Sequence, residues 1–143
     1  MFIRWIVRGH KNTEVADVTF HDAYLVESFR DEDSQPRQRT IAYLGNIRQI
    51  GDTFPAIERE LFLLRAELIL TSIGSLSDAD RKDTLRQLQQ KVPPLAADEV
   101  RAAFRANLQW YFRWWQENGG APTTAEVAQM IREAAGSPDT PSV

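Results

Sequence analysis

The chain has 143 residues, 43% of them hydrophobic, including four Trp, seven Phe and three Tyr, so one or two small domains with a real core are expected. Its formal net charge of −3 gives no overall attraction to nucleic acid, so a nucleic-acid-binding function would require a local basic patch. The absence of cysteine excludes disulfides and thiolate metal sites. The sequence has no run of 18 apolar residues, so no transmembrane helix is expected.

The first residues read as a β-strand and differ from a secretion signal. Phe2 to Arg8 alternates side chains in the way that a strand with one covered face does. Arg4 and Arg8 interrupt the apolar character that a signal peptide would need. We therefore expect a cytoplasmic protein with no membrane partner.

Further strands are predicted up to residue 45. His21 and Asp22 are expected to separate two of them, and Gly45 is expected to end the last. The polar stretch 31–36, with its single Pro36, indicates a longer hairpin connection and not a two-residue turn. The predicted strands cover residues 2–8, 15–20, 23–30 and 37–44.

From Asp52 onward the apolar period changes to that of helices, and four are predicted. Ser77 and Thr123 are expected to cap the second and fourth helices, and Gly74 to end the first. The first helix is apolar on more than one stripe, so we expect it to be mostly buried against the sheet and other helices. Its apolar residues are Phe54, Ile57, Leu61, Phe62, Leu64, Leu68, Ile69 and Ile73.

Strands followed by helices indicate the α+β class. The sequence predicts a small N-terminal antiparallel sheet of three or four strands, packed on a four-helix C-terminal region. The expected divisions are a β-hairpin module at 1–50, a helical region at 51–136 and a flexible tail at 137–143.

The basic residues around the hairpin are the first candidate site. Arginines on a two-stranded ribbon can contact phosphates or enter a DNA groove. However, residues 1–50 carry seven basic and seven acidic side chains, so Arg37 and Arg39 could instead pair with Glu27 or with the acids at 31–33. Both alternatives stay open. The candidate nucleic-acid-binding residues are Lys11, Arg30, Arg37, Arg39 and Arg48.

The third predicted helix is rich in aromatic residues. Five of them fall within residues 110–115, which is too many for one helix face. Either the helix is central and packed on two sides, or part of the cluster forms a partner-binding surface or stacks on a base. Trp110 and Trp114 are the candidate residues for a homodimer or for another protein partner.

No catalytic constellation is present. His10 and His21, without cysteine, do not have a recognised metal-ligand spacing, and no phosphate-binding, nucleophile or zinc-protease motif occurs. We predict no metal, no cofactor and no catalytic residue, while an enzyme site assembled from distant residues stays open.

The hairpin sequence resembles a known family. The stretches YLVESFRD at 24–31 and RQRTIAYLG at 37–45 are similar to the N-terminal segment of certain DDE-type insertion-sequence transposases. The resemblance covers residues 1–50 and implies a module that binds transposon-end DNA. The glycine usual in that turn is replaced here by Ser34-Gln35-Pro36. No RNase H-like catalytic domain lies within the 143 residues, so transposase activity is not expected.

A second resemblance lies near the C-terminus. The stretch WQENGGAPTTAEVAQMIREAAGSP at 115–138 is similar to the start of the helix-turn-helix of LexA-like repressors. In that pattern the threonine caps the second helix and the recognition helix would begin near Ser137, where Pro138 and Pro141 follow.

The sequence as a whole favours a non-enzymatic, nucleic-acid-associated protein that uses the hairpin arginines. The alternative is a protein-interaction or assembly module that uses the Trp-rich helix 98–118.

Overall fold

A computed structural model describes residues 1–10, 12 and 16–136. The predicted α+β class is confirmed: a three-stranded antiparallel sheet precedes four helices. By its contacts the chain divides into two compact units, Met1–Arg101 and Ala102–Val143. The division at residue 50 that the sequence indicates stays a prediction, and the predicted tail lies outside the described residues. The elements are β1 (Phe2–Gly9), β2 (Val18–Arg30), β3 (Pro36–Ile50), α1 (Ala56–Ser72), α2 (Asp78–Lys91), α3 (Ala97–Asn118) and α4 (Thr124–Ala134).

The sheet has the order β1-β2-β3, so the central strand β2 pairs with both neighbours. The predicted break at His21 and Asp22 is wrong, because β2 runs through both residues without interruption. Both side chains are buried, and both have hydrogen-bond partners on β3. A strand can run through buried polar residues that are hydrogen-bonded, as Asp22 is, and as His21 is through its Nε2.

Gly45 does not end β3, which continues to Ile50. Instead it lies beside a register shift, where the pairing of β2 with β3 slips between Ala23 and Tyr24. Its φ of 124° lies in a region that residues with a Cβ rarely adopt. A Cβ here would meet the side chains of Arg65 and Phe62 at 3.6 and 3.7 Å, which is ordinary contact, so the backbone conformation and not the space calls for glycine. The glycine therefore marks a bulge inside a longer strand.

Gly45→Ala should destabilise the fold by about 1–3 kcal/mol, because the alanine would be held at a strained φ. Urea unfolding followed by circular dichroism would measure this. Gly9→Ala is the matched control, since Gly9 is also in a strand but lacks a positive φ and has open space around it. Equal stability of the two variants would contradict the strain argument.

The core of the first unit lies between one face of the sheet and helices α1 and α2. Cross-strand partners such as Ile3 with Leu25 and Trp5 with Ala23 share this face. The ring of Phe62 packs against Trp5 with centroids 5.8 Å apart. The buried core residues are Ala23, Leu25, Leu44, Ile47, Phe62, Ala66, Leu70, Leu76, Leu88 and Val92.

Helix α1 has two apolar faces, and only one of them is buried. Phe62, Ala66 and Leu70 enter the core. The expectation of a mostly buried helix is wrong for four other apolar residues, which are between 53% and 65% exposed. These residues, called the α1 stripe below, are Ile57, Leu61, Leu64 and Leu68.

Gly74 follows the end of α1 at the C′ position, as predicted, but it lacks a positive φ, and a side chain from the next helix binds carbonyls at this helix end. Ile73 is the C-cap residue, in an extended conformation. The guanidinium of Arg81 on α2 donates to the carbonyl oxygens of Leu70 and Ile73 at 2.9 and 2.8 Å. Both carbonyls also accept a backbone amide, so the Arg81 cation adds a second donor at the negative end of the helix. The predicted caps Ser77 and Thr123 are confirmed, each in a reciprocal capping box.

The second unit contains α3 from Ala102 onward and the whole of α4. Neither helix has a buried residue, so the interpretation of α3 as a central helix packed on two sides is wrong. The two helices instead border an apolar groove of about 290 Å³. The groove is lined by Phe104, Leu108, Tyr111, Phe112, Trp115, Val127, Met130, Ile131 and Ala134.

His21 is a buried, neutral histidine within the core. Its ring meets Phe54 edge-on, with centroids 5.0 Å apart. Gln49 donates its amide to the Gly51 carbonyl, so its Oε1 accepts from His21 Nε2, 2.9 Å away. Nδ1 is buried and has no hydrogen-bond partner among the described residues. Burial lowers the pKa of His21 below its ordinary 6.5, outweighing the hydrogen bond from the ring to Gln49.

The fold should therefore lose stability between pH 7.5 and pH 5.5. Because the pKa of His21 is lower in the folded chain, the unfolded chain binds more protons at this histidine as the pH falls through about 6.5, which favours unfolding. Urea unfolding at the two pH values would show the difference. His21→Gln should remove much of it and His10→Gln should keep it. An unchanged pH dependence in His21→Gln would contradict this assignment.

Candidate nucleic-acid interface

The β2–β3 hairpin projects past the rest of the sheet. Strand β1 pairs with β2 only as far as Val26, whereas β2 and β3 stay paired from Glu27–Arg39 to Arg30–Pro36. These pairs form a two-stranded ribbon with mostly exposed side chains. The predicted longer connection is confirmed, because residues 31–35 lie between the two strands.

Asp31 organises the tip of this ribbon. Its Oδ1 accepts from the backbone amides of Asp33 and Gln35, at 3.0 and 2.9 Å. Ser34 has φ 61°, so a left-handed residue lies within the Ser34-Gln35-Pro36 stretch that replaces the glycine of the resemblance. The hydrogen bond from Arg37, followed by the amide of Gln35, lowers the pKa of the Asp31 carboxyl. The tip is therefore a defined turn with an ionised carboxylate.

Two of the predicted arginines have acidic partners on the ribbon. Arg37 Nε lies 2.9 Å from Asp31 Oδ2, and Arg39 Nη2 lies 3.3 Å from Glu27 Oε1. The guanidinium of Arg39 also stands over the Phe29 ring, 4.9 Å from its centroid. The side chains of both arginines are about 60% exposed. The pairing alternative is thus confirmed, and any nucleic-acid role for these arginines stays a prediction.

The structure does not bring all the predicted basic residues together. Arg30 is on the ribbon and donates to the Ser34 carbonyl at 2.8 Å. Arg48 is near the opposite end of β3, where its Nε lies 2.7 Å from Glu58 Oε1 of α1. Lys11 lies outside the described residues. The ribbon therefore holds three of the five predicted basic side chains.

The sheet face away from the core carries further candidates. Alternation along β1 places Arg4 and Arg8 there, and the pairing register adds Tyr24 and Tyr43. The two tyrosine rings lie 5.0 Å apart, and Tyr43 is half-exposed. Arg4 donates to Gln38 Oε1, which links this open face to the base of the ribbon. The sequence signal for this face is the alternation of Arg4 and Arg8 with the apolar residues of β1.

A buried carboxylate holds the open face together. Asp22 accepts from Tyr43 Oη at 2.6 Å, from Asn46 Nδ2 at 3.0 Å and from Arg8 Nη2 at 3.1 Å. Burial would raise the pKa of Asp22, but these hydrogen bonds outweigh it and keep the pKa below the ordinary 3.8. Burial and then Asp22 raise the pKa of Tyr43 to about 12. One ionised group thus joins all three strands.

The chain matches a known protein family. Residues 11–92, more than half of the chain, match the family described as the IS1634 family transposase, N-terminal domain. The chain belongs to this family. The match confirms the transposase resemblance and extends it from the hairpin through β2, β3, α1 and α2. No curated protein and no solved structure matches the chain.

The match to the IS1634 transposase N-terminal domain ends at Val92, directly after α2. Val92 is fully buried and is the C-cap of that helix. Trp110 and Trp114 lie beyond the match, each about half exposed on α3. The continuation that a LexA-like helix-turn-helix would need after Ser137 lies outside the described residues. A partner role for the two tryptophans stays a prediction.

None of the helices described is long and apolar enough to cross a bilayer. Within the same residues, no group of three or more His, Asp or Glu side chains is arranged to hold a metal ion.

Tyr43→Phe should lower the free energy of unfolding by about 1 kcal/mol at pH 7, because a buried carboxylate loses a donor. The lowered pKa of Asp22 stabilises the fold above pH 3.8, and this contribution is lost as the pH falls through the folded-state pKa. The effect of Tyr43→Phe should therefore shrink in strong acid. Tyr24→Phe is the control, since its hydroxyl makes no such bond to Asp22. Equal losses in both variants would contradict the proposed network.

Proposed function

We propose that the first unit is a non-enzymatic DNA-binding module, derived from a transposase N-terminal domain, that docks its β2–β3 ribbon against duplex DNA. The main support for this proposal is the ribbon itself, which extends beyond β1 and contains the exposed residues Arg30, Arg37 and Arg39. Membership in the IS1634 transposase N-terminal family supports this proposal.

The dimensions of the ribbon suit a DNA groove. Two paired strands are separated by about 4.8 Å, and four residues of a strand span roughly 13 Å. The major groove of B-DNA is about 12 Å wide and admits a two-stranded ribbon. Arginine side chains on such a ribbon reach phosphates on the groove walls and base edges on its floor.

The acidic partners do not prevent this use of the arginines. Asp31 and Glu27 form ion pairs with guanidinium groups that are about 60% exposed. Exposed ion pairs contribute only about 0–1 kcal/mol, so a DNA phosphate can replace the carboxylate as the partner. The neighbouring acids nevertheless oppose a polyanion. Affinity should therefore be modest and should fall steeply with salt.

Arg37→Ala combined with Arg39→Ala should weaken duplex binding by about tenfold or more at low salt. The slope of log affinity against log salt should become shallower by about 2, one for each lost phosphate contact. Fluorescence polarisation with labelled duplex and single-stranded DNA at several salt concentrations would measure both quantities.

The matched control is Lys82→Ala with Arg86→Ala on α2, which removes the same charge from exposed positions off the ribbon. This control should bind DNA nearly as well as the parent chain. No binding at low salt would refute the proposal, as would equal losses in the two double variants.

A second candidate function, protein interaction or assembly through α3, is favoured by one observation. The described part of the second unit has no buried residue, and its large aromatic side chains are about half exposed. Contiguous apolar surface of this kind is typical of protein-protein contacts. Trp110→Ala with Trp114→Ala would then reduce association detected by light scattering, without affecting DNA affinity.

A further inference from the structure

We propose that the α1 stripe is a dimer interface, on which α1 of a second copy of the chain packs in parallel orientation. This inference is independent of DNA binding. It starts from Ile57, Leu61, Leu64 and Leu68, which are all more than half exposed on a helix whose opposite side is in the core. Scattered exposed leucines are ordinary, but four on one line of a helix are not.

The spacing of the α1 stripe indicates a helical partner. Its residues follow one another at intervals of four, three and four, which is the spacing of the d, a, d and a positions of a coiled-coil seam. Side chains at these positions fit between those of a facing helix with the same spacing. A second copy of α1 supplies that spacing by symmetry.

The partner helix does not need to be long, because α1 is already folded. Isolated short helices are unstable in water, and short coiled coils are usually weak for that reason. Here Phe62, Ala66 and Leu70 anchor α1 to the sheet and α2 before any association. Association therefore does not have to supply the free energy of helix formation.

The environment of α1 limits the assembly to two copies. A helix in a three- or four-stranded coil contacts two neighbouring helices across a wide apolar face. The side of α1 opposite the α1 stripe is filled by its own core residues, so one line of contact is left. A dimer whose two-fold axis runs along the α1 stripe uses this one line of contact completely.

Charges beside the stripe favour the parallel orientation. In the parallel pair Glu60, at a g position, faces Arg65 of the other copy, at an e position, and two such ion pairs would replace the interaction that Glu60 has within its own chain. In the antiparallel pair Glu58 would face Arg65 of the other copy, but Glu60 would face Glu67, so each attractive pair is offset by a repulsive one. Like charges at these positions are destabilising.

The four side chains of the α1 stripe form a small interface. Interfaces at the lower end of the size range are weak, so a dimer with a dissociation constant in roughly the micromolar range is expected. Sedimentation velocity of the parent chain from about 1 to 100 µM should show a monomer-dimer equilibrium. A strict monomer over that whole range would overturn the proposal.

Cysteine substitution tests both the location and the orientation, since the chain has no cysteine of its own. In the parallel dimer Leu64 lies next to Leu64 of the other copy, so Leu64→Cys should form a disulfide-linked dimer under mild oxidation. Gln90→Cys, an exposed position on α2, is the control and should stay monomeric. In an antiparallel dimer, single variants would fail to link, and only a mixture of Leu61→Cys with Leu64→Cys would link.

Charge reversal gives an independent test that keeps the apolar α1 stripe intact. Glu60→Arg and Arg65→Glu should each weaken self-association by roughly tenfold, because each puts like charges opposite one another. Mixed together, the two variants should form a heterodimer as strong as the parent dimer. Stronger self-association of Glu60→Arg would indicate the antiparallel arrangement and overturn the orientation.

Other occupants of the α1 stripe would give different results. If the aromatic groove of the second unit provides the contact, Trp115→Ala should abolish association while the charge variants leave it unchanged. That outcome would overturn the proposal. The DNA affinity of Arg37→Ala with Arg39→Ala is measured separately, so failure of the dimer and failure of DNA binding are distinguishable.

Discussion

The double pairing of β2 is the constraint on which the rest of the fold depends. Its residues are buried on both faces: Leu25 faces the core, and Asp22, only 8% exposed, faces the other way. A slip of one residue would turn the Asp22 carboxylate into an apolar core and Leu25 out of it, at a large cost in free energy. The donors that satisfy Asp22 come from β1 and β3, so a single register suits all three strands.

Much of this fold follows from local sequence patterns. The hairpin, the helices and the capping boxes of Ser77 and Thr123 depend on neighbouring residues, and all of them were predictable. The continuity of β2 was not, because the groups that satisfy His21 and Asp22 lie more than twenty residues away on β3. The two apolar faces of α1 were also visible, but periodicity does not say which face finds a partner within the same chain.

The candidate interface was predictable only in part. The hairpin arginines and their acidic partners could be inferred because residues that face each other across a short hairpin are fixed by its loop. The open face could not be inferred from the sequence, because the register shifts near Tyr24 determine that Tyr43 reaches Asp22. Arg48 shows the same limit, because β3 continues past Gly45 and places it away from the ribbon, beside Glu58 of α1.

The meander order of the sheet also determines how the chain assembles. Every strand pairs with its neighbour in sequence, so no long crossover has to close before a contact forms. The five residues 31–35 close a shorter loop between β2 and β3 than residues 10–17 close between β1 and β2, so the β2–β3 pair costs less loop entropy. The hairpin that extends furthest from the finished sheet is thus also suited to be the place where the sheet begins to form.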